Sequence, residues 1–232
     1  MKIHGLQKMT LLDFPGHVAC TVFLGGCDFR CPFCHNFELA DGTAKPVMDE
    51  EALLSFLSGR KGLLDGVAFT GGEPCLHREG LPSLIRKIRD MGFAVKLDTN
   101  GYHPAFLKEL LSEGLLDYVA MDIKNSPEKY AQTAGVPEID LSRIRESIAL
   151  LMESGIHYEF RTTLIDEFHE EEDVRKMGEM IRGADRYFLQ AFTDRDTVPF
   201  AGLHAPETAK IQRFLEIARG FVASCEVRGV DE

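Results

Sequence analysis

The sequence predicts an α/β fold, an open three-quarter (β/α)6 barrel of parallel strands. Three observations carry this reading. Short apolar runs alternate with segments of helical period along most of the chain, a polar residue or a glycine closes each run on its C-terminal side, and the units number six. A closed βα barrel needs eight such units. Alternation of this kind demands parallel strands joined by right-handed crossovers.

The elements follow in order. Residues 1–17 form an N-terminal extension that ends on the turn signal Pro15-Gly16. Strands are predicted over residues 18–24, 67–69, 94–97, 118–121, 158–161 and 187–191, and the apolar segment 221–227 is a candidate for a further strand. Helices are predicted over 50–58, 81–91, 104–113, 141–153, 170–182 and 207–219. Leu53, Leu54 and Leu57 share one face of the first, and Ile144, Ile148 and Leu151 one face of the fourth. The acidic run 167–173 opens a helix, where carboxylates suit the helix dipole. No linker or low-complexity stretch interrupts the chain, so residues 1–232 read as one domain, with a barrel core over 18–192 and a closing helix and strand over 193–232.

Composition narrows the partners. The net charge is −11 and no basic run is present, whereas nucleic-acid affinity rests on Lys and Arg against phosphates. DNA or RNA is therefore not expected as substrate. The longest apolar stretch, near residues 18–26, falls far short of the roughly 20 residues of a membrane helix. The N-terminus lacks the charged-then-apolar pattern of a signal peptide. A cytoplasmic protein with reduced thiols is expected, which makes disulfides a poor account of its six cysteines.

Three of those cysteines, Cys27, Cys31 and Cys34, are spaced C-x3-C-x2-C with no fourth nearby. Clustered thiolates favour iron–sulfur clusters or zinc. A structural zinc site wants four protein ligands, whereas three thiolates on a four-iron cluster leave one iron open. Zinc completed by His35 or a distant residue, and plain buried thiols, are the competing readings. Cys20 and Cys225 lie in apolar strand segments and read as core, while Cys75 follows Gly-Gly-Glu-Pro near the rim.

In βα barrels chemistry gathers at the C-terminal strand ends. After the first strand come the cysteines, and after the second Thr70-Gly71-Gly72-Glu73-Pro74. The third leads into Asp98-Thr99-Asn100-Gly101 and the fourth into Asp122-Ile123-Lys124. The fifth ends in Arg161-Thr162-Thr163 and the sixth near Gln190 and Thr193. Taken singly these are a tight turn, a surface ion pair or a structural arginine. Converging on one rim, a glycine pair lets a ligand approach the backbone, Glu73, Asp98 and Asp122 suit an ammonium or a metal ion, and Lys124 suits a carboxylate. That set fits an amino-acid zwitterion beside an open iron.

The cysteine motif with Phe33 before its last cysteine, together with Gly71-Gly72-Glu73-Pro74, resembles the radical S-adenosylmethionine superfamily. Cys34-His35-Asn36, Asp98-Thr99-Asn100-Gly101 and Asp122-Ile123-Lys124 resemble its glycyl-radical-enzyme activases. The opening Gly5-Leu6-Gln7-Lys8 and Thr10-Leu11-Leu12-Asp13-Phe14-Pro15-Gly16 resembles the activating proteins of anaerobic ribonucleoside-triphosphate reductase. The resemblance spans nearly the whole chain.

It implies a 4Fe–4S cluster on Cys27, Cys31 and Cys34 whose free iron chelates S-adenosylmethionine. One-electron cleavage then yields a 5′-deoxyadenosyl radical that abstracts hydrogen from a glycine of the partner enzyme. It also implies Phe33 near the adenine, Gly71, Gly72 and Glu73 at the methionyl amine, and Asp98 and Lys124 at the methionyl end. Arg161 would face the cofactor or the incoming glycine loop, and Asp98, Thr99 and Asp122 would border a monovalent cation. His35 is expected to support the cluster loop without being a ligand.

Pyruvate formate-lyase activases carry a histidine just past the sixth strand. Here the stretch reads Leu189-Gln190-Ala191-Phe192-Thr193, which leaves the sixth-strand ligand open and argues against that partner. With no second ferredoxin-like cysteine set, the electron is expected from an external donor such as flavodoxin or ferredoxin. A pyruvate formate-lyase-type activase, a radical enzyme acting on a small molecule in the manner of 7-carboxy-7-deazaguanine synthase, and a zinc or electron-transfer module are the alternatives.

Overall fold

A computed structural model describes residues 1–229. In chain order the elements are β1 (Lys2–Ile3), β2 (Gly5–Thr10), β3 (Ala19–Leu24), α1 (Phe37–Asp41), β4 (Met48–Asp49), α2 (Glu50–Ser58), β5 (Gly66–Gly71), α3 (Leu81–Asp90) and β6 (Ala94–Thr99). They continue with α4 (Pro104–Ser112), β7 (Tyr118–Asp122), α5 (Tyr130–Ala134), α6 (Leu141–Glu153), β8 (His157–Leu164), α7 (Glu171–Met180), β9 (Arg186–Ala191), α8 (Thr208–Arg219) and β10 (Ser224–Arg228).

One eight-stranded sheet runs in the order β10-β9-β8-β7-β6-β5-β3-β2. Every neighbouring pair is parallel except β2 on β3, which is antiparallel. The order has two free ends, β10 and β2, as an open barrel requires. The expected further strand exists as β10, parallel to β9 with Cys225 opposite Tyr187. The N-terminal extension belongs to the same sheet through β2, and β1 pairs with β4 in a separate two-stranded ribbon.

Side chains along each strand point alternately to the two faces. Val67, Phe69, Val95, Leu97, Val119, Met121, Phe160 and Leu189 share one core with Leu84, Ile85 and Ile88 of α3, Leu107 and Leu110 of α4, and Ile144 and Ile148 of α6. On the other face Ala19, Ala94 and Tyr118 pack around Phe14, which reaches in from the extension. Phe14 lies so close to Gly66 that a Cβ there would stand 2.8 Å from its ring. Above that plug the inner face turns polar, through Thr21, Lys96, Asp98, Glu159 and Arg161.

The helix starts are fixed locally. Asp49 caps α2 by accepting the Ala52 N–H at 3.0 Å, and Asp173 accepts the Glu170 N–H at 2.9 Å at the start of α7. The acidic run does open a helix. Among the described residues no helix is long and apolar enough to cross a membrane.

Candidate functional site

The loop after β3 carries the three close-set cysteines and is held from several sides. Gly26 donates its N–H to the Leu39 carbonyl and accepts the Glu73 N–H, both at 2.7 Å. Arg30 donates its N–H to the Ala134 carbonyl at 2.9 Å. Behind it Gly135, at φ +68, approaches so near that a Cβ would fall 1.9 Å from the Arg30 carbonyl oxygen. The Asn36 amide donates to the Gly71 carbonyl at 3.3 Å. The Asn100 amide donates to Asp28 Oδ1 at 2.9 Å, and His103 Nε2 lies 2.9 Å from Asp28 Oδ2.

So held, Cys27, Cys31 and Cys34 line one cavity of about 510 Å³ together with Phe33, Gly71, Gly72, Asp98, Thr99, Asp122, Lys124 and Arg161. The rim predicted from strand ends is thus one place. Glu73 is the exception. Only 1% exposed, its Oε1 accepts the Cys75 N–H at 2.9 Å and the Thr99 hydroxyl at 2.8 Å, and its Oε2 accepts the Asn100 N–H at 2.7 Å. The carboxylate is spent on tying the Gly-Gly-Glu-Pro turn to the end of β6, and it does not line the cavity.

The glycine pair also has a packing cause. A Cβ on Gly71, whose φ is +121, would stand 2.4 Å from the Leu24 carbonyl oxygen, and one on Gly72 would stand 2.0 Å from that of Gly26. The backbones of this turn and of the cysteine loop lie in direct contact, so no side chain fits between them.

Five charges form a chain across the inner face. Lys96 Nζ lies 2.5 Å from Asp98 Oδ1, and Arg161 reaches Asp98 Oδ2 at 3.3 Å and Asp122 Oδ1 at 3.0 Å. Lys124 Nζ closes the row on Asp122 Oδ2 at 2.9 Å. Burial by itself raises the Asp122 carboxyl, but Lys124 and Arg161 outweigh it and bring it down to about 2. Burial likewise opposes ionisation of Asp98, yet Arg161 and Lys96 hold it below the usual carboxylate range. Lys124 also lies 5.9 Å from the centre of the Phe33 ring.

Sequence reasoning passed over several residues. Lys96 is buried beneath Asp98, and the period of two that puts residues 96 and 98 on one face could have found it. Asp13 and Thr21, joined at 2.5 Å, reach the cavity, as does Arg195. His169, with no exposure, donates through Nε2 to the Lys124 carbonyl at 3.0 Å and accepts the Ile165 N–H on Nδ1 at 3.0 Å. His35 donates to the Thr193 carbonyl at 2.6 Å and stacks on Phe192 at 5.6 Å. It thereby joins the cysteine loop to the segment after β9. Cys20 and Cys225 are buried in the core cluster. Cys75 is 1% exposed and lies 3.6 Å from the Thr99 hydroxyl, off the cavity.

The donor set fits a polynuclear cluster. The three thiols line one common cavity, and thiolates in a set of three suit iron–sulfur chemistry. Burial pushes the Cys27 thiol up to about 12, with Glu73 and Asp28 adding to it, and the Cys31 thiol up to about 11 against the pull of Lys124. Thiolate ligation must therefore expel protons and be repaid by the metal.

Comparison with known proteins agrees with this geometry. The family model described as the Radical SAM superfamily matches residues 21–180. A protein of Methanocaldococcus jannaschii, provisionally named a glycyl-radical enzyme activating enzyme, is 28% identical over 99% of this chain and 96% of its own length. The pyruvate formate-lyase-activating enzyme of Clostridium pasteurianum is 34% identical over 53% of this chain and 52% of its own. A solved domain of the pyruvate-formate lyase-activating enzyme of Bacteroides vulgatus shares the fold, with a TM-score of 0.57 at 20% identity over 71% of this chain and 99% of that domain.

Proposed function

The chain belongs to the radical SAM superfamily, and from that membership we propose that it is an activating enzyme that installs a glycyl radical on a partner protein. The observation that carries the reading is the meeting of three thiols with the Asp98–Arg161–Asp122–Lys124 row in one cavity. Similarity over nearly full length to the Methanocaldococcus protein supports the activase class.

When bound, a 4Fe–4S cluster with S-adenosylmethionine supplies one-electron reductive cleavage and hydrogen-atom abstraction. The protein binds, orients and shields. Cys27, Cys31 and Cys34 would hold the cluster. Lys124, kept cationic by Asp122, would face the carboxylate of the methionyl group, and Asp98 would help to fix that methionyl end. Phe33 supplies an apolar wall for the adenine. The backbone of Gly71 and Gly72 borders the methionyl amine, and Glu73 keeps that backbone in place without touching the ligand. Arg161 fixes the two aspartates and would face the cofactor or the incoming glycine loop.

A second cavity of about 600 Å³ shares Asp13, Asp98, Arg161 and Gln190 with the first and is bordered by the exposed Leu11 and Leu12. The opening motif through Gly16 favours anaerobic ribonucleoside-triphosphate reductase as partner, the histidine-free stretch after β9 argues against pyruvate formate-lyase, and an external flavodoxin or ferredoxin is the donor.

The test is anaerobic reconstitution, reduction and assay of 5′-deoxyadenosine, followed by electron paramagnetic resonance of the candidate partner. Product that depends on Cys27, Cys31 and Cys34, with a glycyl doublet on the reductase, is the expected result. Normal cleavage by any Cys→Ala variant overturns the ligand assignment, and a doublet on another glycyl-radical enzyme alone overturns the partner.

A further inference from the structure

The buried lysine below the site has no part in the reading above. Lys96 is 2% exposed and lies two residues before Asp98 on the same face of β6. Its ammonium meets Asp98 Oδ1 at 2.5 Å and stands 5.8 Å from the centre of the Tyr118 ring. Beneath it the Tyr118 hydroxyl donates to Glu159 Oε2 at 2.8 Å, and Arg228 holds both Glu159 oxygens at 2.9 and 3.0 Å. Glu159 is thus neutralised by its own arginine, and the charge of Lys96 is directed upward to Asp98.

Every oxygen of the aspartate pair already carries a cationic donor. Asp98 and Asp122 present four carboxylate oxygens, and Lys96, Arg161 through two nitrogens, and Lys124 supply four cationic donors, one to each oxygen. The Thr99 hydroxyl is also committed, donating to Glu73 at 2.8 Å and accepting the Gly101 N–H at 3.1 Å. A bound monovalent ion would have to share these oxygens with cations already held there. It would also join three cations already set against two carboxylates.

We propose that Lys96 is a built-in cation for the Asp98–Asp122 pair, so that this site takes S-adenosylmethionine without an added monovalent ion. An uncompensated carboxylate in a half-buried site is costly, and a partner must come from solution or from the chain. Here the chain provides it, as an ammonium on a flexible stem that cannot dissociate. The expected ion at Asp98, Thr99 and Asp122 is thereby replaced by a side chain. The inference rests on the reading that S-adenosylmethionine lies over these aspartates.

The experiment compares wild type, Lys96→Met and Lys96→Arg in sodium, potassium and tetramethylammonium chloride at equal ionic strength. Two quantities are read: equilibrium S-adenosylmethionine affinity of the reconstituted protein, and melting temperature of the cluster-free chain. Wild type should be indifferent to the ion in both. Lys96→Met, losing one charge partner, should bind about tenfold more weakly in tetramethylammonium. It should recover, and melt higher, in sodium or potassium. Lys96→Arg, which keeps the charge, should behave as wild type. Dependence of wild type on sodium or potassium overturns the proposal, and so does a folded Lys96→Met that ignores them. If wild type binds no S-adenosylmethionine in any salt, the site reading fails, and the melting series still decides the role of Lys96.

Discussion

Asn100 donates its backbone N–H to Glu73 at 2.7 Å while its side-chain amide donates to Asp28 at 2.9 Å. One residue at the end of β6 therefore fixes both the turn after β5 and the cysteine loop. Glu73 accepts three donors in a place that excludes water. Replacement by glutamine swaps one acceptor oxygen for an amide that cannot accept, leaving a buried donor unpaired. Such a loss costs about 1–3 kcal/mol. Glu73→Gln should lower the free energy of unfolding by that order and reduce iron incorporation, although residue 73 does not face the cavity. Urea denaturation and iron content per chain check this. Full stability and loading in the variant would show that the three bonds contribute nothing.

Gly72→Ala should act on the cluster through the backbone. Its Cβ would stand 2.0 Å from the carbonyl oxygen of Gly26, the residue before Cys27. The loop must move, and the three thiols with it. Gly59→Ala is the control, because at φ −74 its Cβ meets nothing nearer than 3.6 Å. We expect Gly72→Ala to lose most of its iron and sulfide on reconstitution and Gly59→Ala to load as wild type. Equal loading of the two would disprove the contact.

These two cases show why the site was only partly legible. The rim could be read because strand-end polar residues converge in any parallel barrel, and the helices could be read because their apolar faces repeat. The predicted strands stopped short on the C-terminal side. The run ending at residue 97 continues to Thr99, and the one ending at 161 continues to Leu164. Polar residues there face the inner cavity, so polarity marked the site and hid the strand. α1 and α5, five residues each, are too short to show a period, and β2 is an edge strand with its middle residues exposed. Glu73 was legible as important and not as structural, because its three donors come from residues 75, 99 and 100. The glycines were read as room for a ligand, and the second cause, the pressing of Gly72 on Gly26 by chain crossing, is encoded in no local pattern.

His169 yields a prediction in pH. Its Nδ1 accepts the Ile165 N–H and its Nε2 donates to the Lys124 carbonyl, so the ring is neutral in the fold. Burial lowers its pKa from the ordinary 6.5. The Lys124 and Ile165 carbonyls and Asp173 pull the other way, and Lys129 opposes the charge. The unfolded chain thus binds the proton more readily than the folded one. The stability from neutral His169 is complete above pH 6.5 and is lost as pH falls below it, by up to about 1.4 kcal/mol per unit. His169→Gln has no titrating ring and should remove that part of the slope between pH 7 and 5 in urea midpoints. Glutamine can still reach the Lys124 carbonyl as a donor, whereas asparagine can replace only the acceptor near Ile165. S-adenosylmethionine affinity should therefore hold in His169→Gln and fall in His169→Asn at comparable stability. An equal loss of affinity in both variants would mean that His169 supports the fold and does not place Lys124.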